Sequence, residues 1–247
     1  MNSKEYWDNK IIEWEDSLSS DKKVSFVESL ASKFRKPLEA RSAMCLDILK
    51  KVGKDASILE LGCGSGFFAL KALREVKPKK YIGMDISRNA ITRANQMKKE
   101  LKLPDKVSFI EGDTTLKELP KADITIGLGF LDYLTPDEIR HLMRSVKSKY
   151  IIFTFSEKKL SFARYLHILY LISQNCPKHY YYTKEEMARF IKERYKSVKI
   201  ISGRKLSFGC IVHNLKNSGL KPRGSLSSSD LENSFAYSGL KPRSVRK

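Results

Sequence analysis

Residues 60–67 read E-L-G-C-G-S-G-F. A carboxylate, Glu60, closes an apolar run. Glycines follow at 62, 64 and 66, and a second apolar run opens at Phe67. Glycines so placed permit a tight turn and let a ligand lie against the main chain. Further acids stand near the ends of apolar runs downstream: Asp85 in YIGMDIS, Asp113 in FIEGDT and Asp132 in GLGFLDYLTP. Carboxylates in such places can accept hydrogen bonds from a bound nucleoside or take a proton from a substrate. Two nucleotide chemistries are disfavoured. No G-K-[ST] follows the glycines, so this is not a P-loop, and Phe67 stands where the dinucleotide pattern G-x-G-x-x-G places its third glycine.

The elements around these residues alternate. Apolar runs at 57–61, 80–86, 106–113, 122–130 and 149–155 read as strands. Helical segments separate them. SRNAITRANQMKKEL begins with Ser87 as its N-cap, and TPDEIRHLMRSV begins with Thr135, then Pro136, with Glu138 completing a capping box. Strands alternating with helices predict a parallel sheet covered on both faces. Ahead of them, 37–52 reads as a helix. Beyond them, SFARYLHILYLIS (161–173) is the most apolar stretch. It is shorter than the ~20 residues of a membrane span and reads as a helix packed on the sheet or covering a pocket. TKEEMARFIKERY (183–195) has a second capping box, Thr183 with Glu186. KSVKIIS and KLSFGCIVHNL then read as an antiparallel pair.

E-L-G-C-G-S-G resembles motif I of the class I S-adenosylmethionine-dependent methyltransferases, and Asp85 and Asp113 fall where that family carries its second and third markers. The resemblance covers roughly residues 36–215. It implies an α/β, Rossmann-like, doubly wound and mostly parallel seven-stranded sheet whose last strand is antiparallel. It implies S-adenosyl-L-methionine as cofactor, held by Glu60, Gly62, Cys63, Gly64, Gly66, Asp85, Ile86, Asp113, Thr114 and Leu128. In this assignment Asp85 takes the ribose hydroxyls and Asp113, with Thr114, the adenine amino group. Glu60 meets the cofactor's amino-acid end or orients the loop. The layout after residue 150 is also similar to the magnesium-protoporphyrin O-methyltransferases: a strand, a long apolar helix, a tyrosine-rich link and a capped helix. Leu128 and Asp132 stand where that group carries Asp and His, so the architecture carries over and the porphyrin substrate does not.

For the transfer itself the expected residues are Asp132, Tyr133 and His167, with Asp132 the leading base. The alternative for Asp132 is a capping or orienting role, and for His167 a satisfied core position. His179 and Tyr180–Tyr182 line an aromatic acceptor pocket or pack a lid, and Tyr6 and Trp7 either cover the cofactor or pack an ordinary helix. No N-P-P-[YF] follows strand four, which disfavours amino-nucleobase and glutamine N-methylation. The expected reaction is O-methylation of a small molecule. The alternatives are RNA methylation and a non-catalytic S-adenosylmethionine-binding role.

Lys and Arg number 47 against 28 Asp and Glu, a net charge of +19. Such a field draws anions, whether an anionic acceptor, nucleic acid or an acidic membrane surface. The four cysteines form no C-x-x-C pair, so neither a metal site nor a disulfide framework is expected. With a charged N-terminal stretch, MNSKEYWDNK, a cytoplasmic setting without a transmembrane segment is expected. The expected organisation is a helical segment over 1–35, the methyltransferase domain over 36–216 with a lid-like insertion at about 157–182, and a basic tail over 217–247. The tail repeats SGLKPR at 218–223 and 238–243 and reads as disordered.

Overall fold

The computed structural model describes residues 3–19, 39–115, 118–176 and 178–215. Residues 20–35 of the expected N-terminal segment, and the expected tail over 217–247, lie outside the described residues. The chain opens with α1 (Ser3–Ser19) and α2 (39–50). It then alternates β1 (Ser57–Leu61), α3 (Phe67–Glu75), β2 (Lys80–Asp85), α4 (Arg88–Glu100), β3 (Val107–Glu111), β4 (Ile124–Gly127), α5 (Pro136–Ser145) and β5 (Tyr150–Ser156). The remainder comprises α6 (Phe162–Ser173), α7 (Lys184–Lys192), β6 (Lys199–Ile201) and β7 (Gly209–His213).

The sheet order is β3-β2-β1-β4-β5-β7-β6. Pairings from β3 through β5 are parallel, whereas β7 runs antiparallel to both β5 and β6. The architecture is the expected doubly wound α/β sheet with an antiparallel last strand. Chain order reverses at β1, whose neighbours are β2 and β4, and ligands in open sheets of this kind bind beyond the strand ends at that point.

Strand side chains alternate between two cores. Ile58 joins Ile48, Ala69 and Ala94 on the face covered by α2, α3 and α4. Leu59 and Leu61 join Ile139, Leu142 and Met187 on the face covered by α5 and α7. The period of two therefore places both apolar faces of β1 in cores, which explains its unbroken hydrophobic reading. Both expected capping boxes form, Thr135 with Glu138 and Thr183 with Glu186. The run 122–130 pairs only over Ile124–Gly127, because the chain turns away at Gly129, where φ is 72°.

Candidate active site

At the end of β1 the backbone N–H groups of Gly62 and Cys63 both donate to the Met84 carbonyl, at 2.8 and 3.2 Å. This pins the glycine loop to β2. Gly66, with φ of 84°, leads into α3. A Cβ there would lie 2.8 Å from the Phe109 ring, so only glycine fits. The close approach thus falls at Gly66, while Phe67 is 57% exposed and does not crowd the sheet. A Cβ on Gly64 would meet only Ile11 of α1, at 3.7 Å, so the loop's outer face is approachable.

Asp85 braces this loop from the end of β2. One carboxylate oxygen accepts the Gly64 N–H at 2.8 Å and the other accepts the Ser87 N–H at 2.9 Å. Each oxygen retains acceptor capacity for a hydroxyl. Burial raises its pKa, against these backbone bonds. Glu60 lies deeper. It is 2% exposed and accepts the Tyr81 hydroxyl at 2.7 Å. Burial pushes its pKa up to about 8, with nearby Asp85 adding to the rise, so it is neutral at pH 7. Asp113 turns one oxygen onto the N–H and hydroxyl of Thr115, at 2.8 and 2.6 Å, which shapes the loop after β3. Thr114 is buried beside it, Cys63 is buried behind the glycines, and Leu128 packs partly buried against the first core.

Helix α1 roofs this end of the sheet. Asp8 accepts the Ser87 hydroxyl at 2.8 Å and the Asn89 N–H at 3.2 Å, tying α1 to the start of α4. Lys4 pairs with Glu111 and donates to the Ile86 carbonyl at 3.3 Å. Aromatic rings continue the roof. Trp7 meets Tyr133 edge-on at 4.8 Å, Tyr133 meets His179 at 5.4 Å, and His179 meets His167 of α6 at 5.1 Å. Tyr6 shares a hydrogen bond with Cys176, so α1 meets the turn just beyond α6.

Asp132 lies beneath that roof, in a single 3-10 turn after β4. It is 4% exposed. Its oxygens accept the Ser156 N–H at 2.6 Å and the Ser156 hydroxyl at 2.9 Å, which fixes it to the end of β5. Burial lifts its pKa to about 6, opposed by the Arg41 charge and the Ser156 bonds. His179 Nε2 stands 3.8 Å from Asp132 Oδ2. That separation is too long for a hydrogen bond and becomes an ion pair once the ring is protonated. Burial, then Arg41, hold His179 down at about 4, so the ring is neutral at pH 7. His179 Nδ1 is buried without a hydrogen-bond partner among the described residues. His167 is engaged differently: its Nδ1 shares a 2.8 Å hydrogen bond with the Tyr181 hydroxyl, and burial, His179 and Arg41 press it to about 3.

Residues 53–200 match the family model described as "Methyltransferase domain". The chain belongs to this methyltransferase family. Among curated relatives, the ribosomal protein L11 methyltransferase of Haemophilus influenzae (strain PittEE) is 31% identical over 86 residues, 34% of this chain and 28% of that protein. The matched region thus spans less than a third of that relative's length. The fold is shared with the magnesium protoporphyrin IX methyltransferase of Synechocystis PCC 6803, crystallised with SAH, at TM-score 0.64 and 18% identity over 85% of this chain and 96% of that one. It is also shared with human N-acetylserotonin methyltransferase in complex with SAM, at TM-score 0.56 and 15% identity over 83% of this chain and 55% of that one.

The structure brings Gly62, Cys63, Gly64, Gly66, Asp85 and Ile86 of this methyltransferase together at the end of β1 and β2, and gathers Asp132, Tyr133 and, from α6, His167 around His179. Two residues gained weight only from the fold. Arg41, 8% exposed on α2, puts its charge beside Asp132, and its Nε is buried without a hydrogen-bond partner among the described residues. His179 faces Asp132 and, like His213 on β7, has a buried ring nitrogen without a hydrogen-bond partner among the described residues. A signal for His179 was present in HYYY, but its partner is distant in sequence. Glu60 supplies a direct check on the loop. Because it is neutral at pH 7, Glu60→Gln keeps the acceptor for Tyr81 and removes no charge. We expect S-adenosylhomocysteine affinity, measured by calorimetry at pH 7, to stay within about threefold, a change under ~0.7 kcal/mol. A tenfold loss would show that a charged Glu60 serves the cofactor.

Proposed function

We propose that this methyltransferase transfers a methyl group from S-adenosylmethionine to an oxygen of a small-molecule acceptor, beneath the roof formed by α1 and α6. The observation that carries this reading is the Asp132–His179 pair, with a buried, unpartnered ring nitrogen, His179 Nδ1, at the carboxyl ends of the strands.

When bound, the cofactor supplies a methyl already activated by its sulfonium. The glycine loop offers it main chain to lie against, Asp85 receives the ribose hydroxyls, and Asp113 with Thr114 receives the adenine edge. The protein's remaining work is to align an acceptor, exclude water and remove a proton. His179 suits the last task. Its neutral state leaves one nitrogen lone pair. Asp132, ionised above about pH 6, favours the N–H on Nε2 and leaves the lone pair on Nδ1. A proton taken at Nδ1 makes the ring cationic, and the carboxylate at 3.8 Å then stabilises it. This moves the base role from Asp132, where the sequence placed it, to His179. Asp132 becomes its orienting partner, and Ser156 holds Asp132. Tyr133 and Trp7 close the aromatic wall around the acceptor, and His167 anchors Tyr181 beside it.

Enclosure under two helices favours a small acceptor over a polymer. The full chain, incubated with methyl-labelled S-adenosylmethionine and separated fractions of RNA, protein, lipid and small metabolites, should place label in a small organic acceptor through a methyl–oxygen bond. Label confined to RNA or protein would overturn the reading.

A further inference from the structure

Among the described residues, seven large hydrophobic side chains are exposed, and five of them lie on α6 or its lead-in. Phe162, Tyr165, Leu169 and Ile172 are 78%, 52%, 60% and 66% exposed, and Leu160 just before them is 84% exposed. The spacing of 162, 165, 169 and 172 puts the four helix residues on one face. The opposite face carries Arg164 and His167, directed at Tyr181 and His179. None of the residues of α6 is buried. The helix therefore covers the site with one side and presents a continuous apolar stripe with the other. A patch of that kind marks an interaction surface.

The charge around the stripe has one sign. Between Glu157 and Glu185 the chain has no acidic residue, and besides Arg164 on the inner face it has Lys158, Lys159, Lys178 and Lys184. Glu157 itself is withdrawn, paired with Lys159 and Lys184 at 3.3 Å each. Lys159 also donates to the Ser207 carbonyl at 2.9 Å, which brings the exposed Arg204 and Lys205 turn alongside the start of α6. At the other end, exposed Lys178 follows the helix. Two copies of this surface would set like charges against each other, which disfavours self-association through it. Nucleic acid would match the cations but not the apolar stripe.

We propose that α6 docks this protein on an anionic lipid bilayer, lying in the interface with Leu160, Phe162, Tyr165, Leu169 and Ile172 among the acyl chains and the exposed Lys158, Lys178, Arg204 and Lys205 at the headgroups. Twelve residues give a helix about 18 Å long. That is suited to lying in the interface plane, and no described helix is long and apolar enough to cross a membrane. Binding needs both terms, apolar insertion and attraction to anionic headgroups. The proposal does not depend on which acceptor is methylated.

The test is sedimentation of the full chain with phosphatidylcholine vesicles, with and without phosphatidylglycerol. Wild type should bind the anionic vesicles at least about tenfold better than the neutral ones, and high salt should weaken binding. Leu169→Gln combined with Ile172→Gln should lower partition onto anionic vesicles by about tenfold or more, with an unchanged melting temperature in buffer. Equal binding by the double variant would place any membrane affinity elsewhere in the chain and overturn the proposal. A melting temperature lowered by several degrees in buffer would mean the stripe is covered within the chain itself, and would also overturn it. So would a wild-type dimer, broken by the double variant, that binds no vesicles.

Discussion

Replacing His179 by Gln should lower methyl transfer by roughly 10²–10⁴ while S-adenosylhomocysteine binding, measured by calorimetry, stays within about threefold. The amide fills similar space but cannot take a proton, and His179 lies at the acceptor end rather than on the glycine loop. The pH dependence supplies a second signature. Asp132 titrates at about 6 in the folded protein, raised from 3.8. Below that value its carboxyl is neutral and no longer stabilises a protonated His179, so the rate should fall as pH drops through about 6. His179 itself, held at about 4, is deprotonated throughout that window. In Asp132→Asn the limb near pH 6 should vanish along with most of the activity. The same shift acts on stability with a definite sign. A raised carboxyl pKa contributes stability that is fully present below pH 3.8 and lost as pH rises through about 6. The ionised carboxylate therefore costs the folded state about 3 kcal/mol at pH 7. Such a cost is expected where burial serves chemistry rather than folding. Wild-type turnover in His179→Gln would remove the base and leave alignment as the whole mechanism.

Local signals made much of this site legible in sequence. The runs at 57–61, 80–86 and 106–113 end at or beside glycines or acids, and all five apolar runs pair in the sheet. Ser87, Thr135 and Thr183 cap the helices assigned to them, because a cap needs only partners three residues away. Asp85 and Asp113 stand at strand ends, which a topology alone places on one edge of the sheet. What sequence could not supply was pairing across the chain. In sequence Asp132 reads as the leading base or as a capping or orienting residue. In the fold each of its oxygens accepts a bond from Ser156 of β5, which supports the orienting role proposed for it. Arg41 and His179 converge on it from α2 and from the link after α6. No spacing rule connects these three positions. The α6 stripe shows the reverse case. Its residues read as apolar throughout, and only the structure separates the face that covers the site from the face that meets solvent.

The largest effect on the cofactor is expected at Asp85. Its carboxylate has two tasks: it accepts the Gly64 and Ser87 N–H groups, and in the proposed complex it receives the ribose hydroxyls. Asp85→Asn separates an acceptor from a charge. The amide oxygen can still serve one N–H, but the NH₂ group then faces the other donor, at Gly64 or at Ser87. A buried donor set against a donor costs about 1–3 kcal/mol, and a hydroxyl bond to a charged acceptor is worth ~1.5–3 kcal/mol. The lost terms overlap, because the loop and the ligand share the same oxygens. A ten- to hundredfold fall in S-adenosylhomocysteine affinity is the expected result by calorimetry, with the variant still folded. Burial already penalises the Asp85 charge, so removing it offsets part of the lost hydrogen bonding, and the melting temperature should move by only a few degrees. The two readouts therefore separate the roles. Unchanged affinity would mean that Asp85 braces the loop and nothing more. A large fall in melting temperature with little change in affinity per folded molecule would mean that its two backbone bonds, rather than the ligand, account for the acid at the end of β2.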